Sequence, residues 1–107
     1  RWCERGGEVA VLGGAAEREL GESLVAAAGP RVLNLCGRLD LRQSAALLEG
    51  EAALLSNDSG PAHLAAAVGC PGLVLFAGTD RAGLWKPHGE GLGTLRAELA
   101  CAPCYRA

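Results

Sequence analysis

The sequence predicts an α/β protein in which a parallel sheet is covered by helices on both faces. Short apolar segments alternate with amphipathic segments, in the order strand–helix repeated three times and followed by a fourth strand. The predicted strands are continuous apolar runs, a pattern typical of strands that are buried on both sides. Aromatic residues make up only 4% of the 107 residues, so the core is built mainly from Ala, Leu and Val.

Glycine, proline and capping residues delimit the predicted elements. In the first helix Leu20, Leu24 and Ala27 share one face, which predicts that this face packs against the sheet. Asp40 is placed to cap the second helix. The last part of the chain is rich in Gly and Pro, which predicts a loop with one short strand near Thr94. The predicted strands cover residues 8–12, 31–36, 52–56 and 72–78, and the predicted helices cover residues 15–28, 40–50 and 61–68.

Charge, hydropathy and cysteine content exclude several classes of protein. The formal net charge is -2 and the pI is about 5.6, which gives no electrostatic reason to expect nucleic-acid binding. The apolar fraction of 50% is too high for a disordered chain. No apolar stretch approaches the roughly 20 residues of a membrane span. The five cysteines are an odd number in mostly apolar surroundings, which indicates a reducing compartment rather than a disulfide scaffold.

The turn after the third strand has the most unusual chemistry in the sequence. Residues 57–60 bring Asn, Asp, Ser and Gly together at a predicted helix start, with His63 about one turn further on. Unpaired N–H groups and a partial positive charge at a helix N-terminus attract phosphate. Gly60 allows a ligand close to the backbone, Ser59 offers a hydroxyl group, and His63 can donate to a phosphate oxygen. Asp58 would repel phosphate, so it is better placed to bind a sugar hydroxyl group or to fix the loop.

The same turn has two simpler interpretations. The sequence Asp-Ser-Gly-Pro is also a good helix cap and turn that needs no ligand. Ser59 and His63 could instead form a nucleophile pair, although the Gly-x-Ser-x-Gly elbow and an orienting acid are missing from the sequence around them. The residues of this turn alone leave these interpretations open.

Several short motifs occur in order along nearly the whole chain. They are Gly-Gly-Ala-Ala-Glu at 13–17, Gly-Arg-Leu-Asp-Leu at 37–41, Ser-Asn-Asp-Ser-Gly-Pro-Ala-His-Leu at 56–64, Trp-Lys-Pro at 85–87 and Cys-Ala-Pro-Cys at 101–104. Taken together they resemble the nucleotide-sugar half of the family 9 glycosyltransferases, the ADP-heptose:lipopolysaccharide heptosyltransferases and their relatives. An ordered set of motifs is much more specific than any single one of them.

The resemblance implies a Rossmann-like domain, the carboxyl-terminal half of a GT-B fold in which two such domains face a cleft. In this family the amino-terminal domain holds the acceptor and the catalytic base, so the catalytic base is expected outside this chain. Because the chain begins with Arg1 rather than Met, we expect a fragment of a longer cytosolic protein. We expect residues 1–107 to be one partial donor domain that lacks its first strand, with 79–107 as a loop tail. Such a fragment alone would bind ADP-type ligands weakly and transfer no sugar.

The resemblance also implies roles for individual residues. Glu17 would bind ribose hydroxyl groups, Leu39 would lie along the adenine, and Thr79 would line the pocket at another strand end. The structural alternatives are a helix acid in the first turn for Glu17 and a core leucine for Leu39. The remaining residues would face the diphosphate and the donor sugar or shape the turn around them, and they are Asp58, Ser59, Gly60, Pro61, His63 and Leu64.

The function implied by the resemblance is the transfer, with inversion, of a heptose or related sugar from an ADP-activated donor. The acceptor would be the lipopolysaccharide inner core or a similar glycan. No metal held by the protein and no cofactor beyond the donor substrate are expected. We expect a cytoplasmic protein whose full-length form associates peripherally with the inner face of the cytoplasmic membrane. A missing strand would also leave a sheet edge exposed, which would favour self-association of this chain.

Two other classes of protein compete with this interpretation. A nucleotide-sugar 2-epimerase of GT-B type also places an Asp-Ser-Gly turn at a helix start, but it commonly continues with Gly and an acidic pair. A non-catalytic nucleotide-binding or flavodoxin-like module needs a phosphate loop after its first strand. Residues 13–17 are a poor match to the Gly-x-Gly-x-x-Gly pattern of such a loop.

Two features near the carboxyl end have structural interpretations. Cys101 and Cys104 form one Cys-x-x-Cys pair, which is half of a zinc site, and the sequence has no second pair. We therefore expect structural cysteines rather than a metal or redox centre. The segment 85–88 is expected to pack a loop onto the core, with Lys86 close to the phosphates of the donor.

Overall fold

The computed structural model describes residues 3–50, 53–77, 85–98 and 100. The chain divides into two compact units, Arg1–Ser44 and Ala45–Ala107. The strands are β1 (Val9–Val11), β2 (Val32–Asn34), β3 (Leu54–Asn57), β4 (Gly72–Phe76) and β5 (Leu92–Arg96), and the helices are α1 (Arg18–Ala28), α2 (Leu41–Gly50) and α3 (Gly60–Val68). Two short 3-10 helices cover Cys3–Arg5 and Ala15–Glu17.

The predicted order of strands and helices is confirmed. The predicted helix over 15–28 begins with the 3-10 turn Ala15–Glu17 and continues as α1. The strand predicted near Thr94 is present as β5. It has five residues and is therefore longer than the short strand that was predicted. The boundaries of the other elements differ from the predicted ones by a few residues, as expected where helix and strand ends depend on local hydrogen bonds.

Asp40 caps α2 as the sequence predicts. Its Oδ1 accepts a hydrogen bond from the Gln43 N–H at 2.8 Å, and Gln43 Oε1 accepts one from the Asp40 N–H at 2.9 Å. This reciprocal pair satisfies two amides that have no partner within the helix. The helix therefore starts at Leu41 for a reason that is local to the sequence.

The five strands of the described residues pair in parallel, and they form two separate sheets. In the first unit β1 pairs with β2, with Val11 opposite Asn34. In the second unit β4 lies between β3 and β5. The sequence pattern predicts parallel strands correctly. It does not predict the division into a two-stranded and a three-stranded sheet, because apolar runs mark strands without specifying which of them pair.

In the first unit α1 packs on β2 through a glycine rather than through its leucines. Gly21 is buried, and a Cβ atom there would overlap the side chain of Asn34. Leu20 is 65% exposed and Leu24 is 46% exposed, and Ala27 is exposed as well. The prediction that these three residues form the packed face is therefore wrong. The helix approaches the sheet most closely where it has no side chain, which turns the leucine face outward.

The core of the second unit combines β4 with α3. Val74 and Phe76 of β4 are buried, and Ala62 and Ala65 of α3 are completely buried. Small alanine side chains allow a helix to approach a sheet closely, and α3 packs against β3. Gly69 ends α3 in a left-handed conformation, the usual role of glycine at a helix end.

The other face of the three-stranded sheet is rich in leucine and exposed. Leu75 lies opposite Leu95 on β5 and opposite Asn57 on β3, and Leu55 lies two residues before Asn57, so these side chains share a face. Leu55, Leu75 and Leu95 are 69%, 42% and 56% exposed. The apolar runs predict burial on both sides of the strands, and in the residues that the structure describes these three leucines are not buried.

The segment before β5 packs onto the second unit through Pro87. This proline is fully buried, whereas Trp85 is 60% exposed and Lys86 is exposed. A Cβ atom at Gly89 would lie 3.2 Å from the Cα atom of Ala66 in α3, so the segment also passes close to that helix. The predicted packing of this segment is confirmed, although the proline rather than the tryptophan makes it.

Gly37 tests the packing of the first unit. Its φ is +67°, and a Cβ atom there would lie 2.6 Å from the Cα atom of Ala15. We predict that Gly37→Ala lowers the free energy of unfolding by about 3 kcal/mol, because a left-handed conformation and overpacking each cost about 1–2 kcal/mol. Urea denaturation measures this change.

Gly50→Ala is the matched control for Gly37→Ala. In the part of the chain that the structure describes, no atom lies within 4 Å of a Cβ placed at Gly50. Its free energy of unfolding should change by less than about 1 kcal/mol. Equal losses in the two variants would contradict the close approach of Gly37 to Ala15.

Candidate functional site

In the first unit the loops that follow β1 and β2 are joined by backbone hydrogen bonds. The Leu35 N–H donates to the Val11 carbonyl oxygen at 2.9 Å, and the Gly37 N–H donates to the Gly13 carbonyl oxygen at 2.9 Å. Both strands run in the same direction, so both loops lie at the carboxyl end of this sheet. In open parallel sheets, ligands bind at that end.

Glu17 turns its carboxylate back onto the first of these loops. Oε2 of Glu17 accepts a hydrogen bond from the Gly14 N–H at 2.7 Å, and the Glu17 N–H donates to the Gly14 carbonyl oxygen at 3.1 Å. The residue is exposed. A carboxylate can accept about four hydrogen bonds, so one bond to the loop leaves capacity for hydroxyl donors. Glu17 therefore stabilises its own turn and is still accessible to a ligand.

Leu39 lies in the second loop, immediately before the Asp40 cap. It is partly exposed, and it follows a turn in which the Arg38 N–H donates to the Leu35 carbonyl oxygen at 3.0 Å. Leu39 is therefore not a core leucine, which was the structural alternative for this residue. A partly exposed apolar side chain beside the loops is suited to contact a flat ring.

In the second unit, Asp58 and His63 face each other across the turn into α3. Oδ1 of Asp58 is 3.9 Å from Nε2 of His63, and the two side chains are 20% and 51% exposed. This distance exceeds that of a hydrogen bond but allows attraction when the imidazole is protonated. The carboxylate therefore lies beside the imidazole, and about half of the His63 side chain is exposed.

Ser59 precedes α3 but does not cap it through its side chain. Its Oγ is 3.2 Å from Oγ of Ser56 and donates to the Asn57 carbonyl oxygen at 3.3 Å. Within the described part of the chain, the Ser59 side chain makes no capping hydrogen bond to α3. An ordinary serine cap would accept a hydrogen bond from an amide in the first turn. The interpretation of this turn as a helix cap alone is therefore not supported, and Oγ is engaged by residues other than His63, which disfavours a nucleophile pair.

Gly60 begins α3 without a structural need for glycine. Its φ is not positive, and no described atom lies within 4 Å of a Cβ placed there. Pro61 follows in a position where its missing N–H costs nothing. A glycine in a helix costs roughly 1 kcal/mol relative to alanine. Packing among the described residues therefore does not require glycine at position 60.

The structure brings the predicted site residues together in two groups, one in each unit. Glu17 and Leu39 follow the two neighbouring strands of the first unit. Thr79 lies outside the described residues, as do Cys101 and Cys104. The second group occupies the turn after β3 and the first turn of α3, and it consists of Asp58, Ser59, Gly60, Pro61, His63 and Leu64.

Two polar residues that had no role predicted from the sequence shape these groups. Ser56 donates from Oγ to the Asn57 carbonyl oxygen at 2.9 Å, next to Ser59. Asn34 is buried at the end of β2 and bonds to three other groups of the first unit. The available signal for Asn34 was a single polar residue within the apolar run 32–36.

Other features of the described residues give no second site. No group of three metal-ligating side chains occurs among them. Cys3, Cys36 and Cys70 form no disulfide bonds there. In the same part of the chain, no helix is both long enough and apolar enough to span a membrane.

Comparisons with known proteins point to one family. Residues 1–107 match the model of glycosyltransferase family 9 (heptosyltransferase). The chain is 39% identical over 107 residues to lipopolysaccharide heptosyltransferase 1 of Pseudomonas aeruginosa, which covers 99% of this chain and 29% of that protein. It therefore spans less than a third of the length of this relative.

Solved structures agree with this match. The E. coli ADP-heptose lipopolysaccharide heptosyltransferase II has a TM-score of 0.83 and 27% identity, over 90% of this chain and 30% of that one. The family 9 glycosyl transferase of Veillonella parvula has a TM-score of 0.80 over 88% of this chain and 27% of that one, and at 22% identity it shows the fold alone. Together they confirm the predicted fold class, a Rossmann-like part of a GT-B protein.

Ser59 and Asp40 provide a matched test of capping. Asp40 caps α2 through its side chain, whereas the hydroxyl group of Ser59 turns away from α3. We predict that Asp40→Ala lowers the free energy of unfolding by about 1 kcal/mol, the usual value for a lost cap. Ser59→Ala should lower it by less than about 0.5 kcal/mol, because the bonds it removes are peripheral. Equal losses in urea denaturation would show that Ser59 is an ordinary cap.

Proposed function

Because this chain belongs to glycosyltransferase family 9, the heptosyltransferase family, we propose that it binds the nucleotide-sugar donor of a heptosyltransferase. One relative is a lipopolysaccharide heptosyltransferase and another is an ADP-heptose heptosyltransferase. These relatives favour heptose as the sugar, ADP as the nucleotide, and a lipopolysaccharide or similar glycan as the acceptor. The match over the whole chain favours this family over an epimerase or a flavodoxin-like module.

The open start of α3 is the observation that supports donor binding most strongly. Gly60 presents its backbone without a side chain, and the Ser59 side chain does not cap the helix. Pro61 has no N–H and the Ala62 N–H donates to the Ser59 carbonyl oxygen, so the Gly60 N–H is the amide that this helix start offers to a ligand. The first amides of a helix have no partner within the helix, and the helix dipole adds partial positive charge. A diphosphate placed there would receive hydrogen bonds from the backbone and favourable electrostatic attraction.

The imidazole of His63 would add a further hydrogen-bond donor to this anion site. A protonated imidazole donates a charge-assisted hydrogen bond, which is roughly twice as strong as a neutral one. Asp58 lies 3.9 Å from the imidazole and would help to hold the ring beside this anion site. The same carboxylate can accept a hydrogen bond from a hydroxyl group of the donor sugar.

These groups would act on the leaving diphosphate during sugar transfer. As the bond between the sugar carbon and the phosphate oxygen breaks, the sugar carbon becomes cation-like and negative charge builds on the diphosphate. Preorganised amides and an imidazolium stabilise this developing charge more than the charge of the bound donor. In an inverting reaction the acceptor hydroxyl attacks from the opposite side of the sugar carbon. The base that deprotonates it is expected in a part of the protein beyond this chain.

Glu17 and Leu39 of the first unit have the chemistry to bind a nucleoside. The Glu17 carboxylate is accessible and retains acceptor capacity for the vicinal hydroxyl groups of a ribose. Leu39 offers a partly exposed apolar surface to an adenine ring. Since ADP-heptose already holds the activated sugar, this account needs no further cofactor. The full-length protein would meet its soluble donor in the cytoplasm and a glycolipid acceptor at the inner membrane face.

Titration of the chain with ADP tests the proposal. We predict weak binding, with changes in the amide NMR signals of Ser59, Gly60 and His63. His63→Ala should weaken ADP binding by about tenfold, since a lost charge-assisted hydrogen bond costs about 1.5–3 kcal/mol. His88→Ala is the control, because His88 is an exposed histidine outside the proposed site. Signal changes confined to residues outside 56–63 would contradict the proposal.

A further inference from the structure

Asn34 is a polar side chain enclosed by the core of the first unit. It is 6% exposed and lies at the end of β2, where its neighbours in the strand are apolar. Burying an amide group is unfavourable unless its donors and acceptor are bonded. An apolar residue would fill such a place at lower cost, so the retained amide points to a role beyond filling space.

The side-chain amide of Asn34 forms hydrogen bonds to α1 and to the turn that follows β2. Its Nδ2 donates to the Arg18 carbonyl oxygen and to Oε1 of Glu22, both at 3.0 Å, and so it ties β2 to α1. Its Oδ1 accepts a hydrogen bond from the Cys36 N–H at 3.1 Å and so fixes the turn after β2. One side chain therefore sets the distance between the start of α1 and this turn.

The turn after β2 also holds the loop after β1, which ends at Glu17. The Gly37 N–H donates to the Gly13 carbonyl oxygen. A Cβ atom at Gly13 would lie 3.0 Å from Sγ of Cys36 and 2.7 Å from Oε2 of Glu17. Sγ of Cys36 and the Glu17 carboxylate therefore both pack against Gly13. The loop has no space to shift toward either of them.

We propose that Asn34 is a positioning residue for nucleotide binding, which orders the Cys36–Gly37 turn and through it the loop that presents the Glu17 carboxylate to a ribose. The ligand in this inference rests on the proposed function. The ordering of the loop does not, because it follows from the contacts within the first unit. Asn34 itself is buried and does not touch the ligand.

Hydrogen exchange of the ligand-free chain tests the ordering step. In Asn34→Ala the exchange protection of the Gly37 and Gly14 amides should fall by about tenfold, because the turn loses its hydrogen bond to the side chain. An unchanged amide signal of Val74 in the second unit shows that this unit is still folded. Unchanged protection of both glycine amides would overturn the proposal.

A serine variant keeps this test valid if Asn34→Ala fails to fold. In Asn34→Ser the hydroxyl oxygen can still accept the hydrogen bond from the Cys36 N–H two residues on, as serine does in the turns that resemble those of asparagine. Protection of the Gly37 amide should stay within about threefold of the wild-type value. If the serine variant folds and this protection falls by tenfold or more, the proposal is overturned.

Binding of two probes tests the effect on the nucleotide. Asn34→Ala should weaken ADP binding by about tenfold but leave the binding of inorganic pyrophosphate unchanged, because only ADP has a ribose. Ser23→Ala, an exposed change on α1, should alter neither. Equal losses for both probes, or an unchanged affinity for ADP, would overturn the proposal. If the wild-type chain binds no ADP, the proposed function is overturned, and hydrogen exchange alone then decides whether Asn34 orders the loop.

Discussion

The parallel pairing of the strands is the constraint on which both groups of candidate residues depend. Parallel strands end at the same edge of a sheet, so the loops after β1 and β2 meet and form hydrogen bonds with each other. In the second unit the same rule places the turn after β3 beside the end of β4. Glu17 follows β1 and Asp58 follows β3. If either strand ran in the opposite direction, the residue that follows it would lie at the opposite edge of the sheet.

The glycines of the chain differ in whether the packing around them leaves room for a side chain. Gly21 and Gly37 have no room for a side chain, and both lie in close contact with other segments of the first unit. Gly60 has open space around it and an ordinary backbone conformation. Packing among the described residues thus requires glycine at positions 21 and 37, and it does not require glycine at position 60.

The features of the fold that are local in sequence were predictable, and those that depend on packing were not. Alternating apolar runs and turn residues predict every helix, and the spacing of Asp40 and Gln43 produces the capping box. The inward face of α1 was predicted wrongly, because the approach of Gly21 to Asn34 decides it and that contact joins residues distant in sequence. The order of motifs identified the family from the sequence alone.

The residues of the candidate site could be proposed from the sequence, but their geometry could not. The sequence placed His63 about one turn into the helix that follows Asp58, and the structure has the two side chains 3.9 Å apart. The direction of the Ser59 hydroxyl group was not predictable, because the choice between the α3 amides and Ser56 depends on the shape of the turn. The roles of these residues in donor binding, and that of Thr79, are still predictions.

A crystal structure of the chain with ADP tests the central claim most directly. We predict that diphosphate oxygens lie within hydrogen-bond distance of the Gly60 N–H and of the His63 imidazole. ADP bound elsewhere, with no diphosphate at the start of α3, would contradict it.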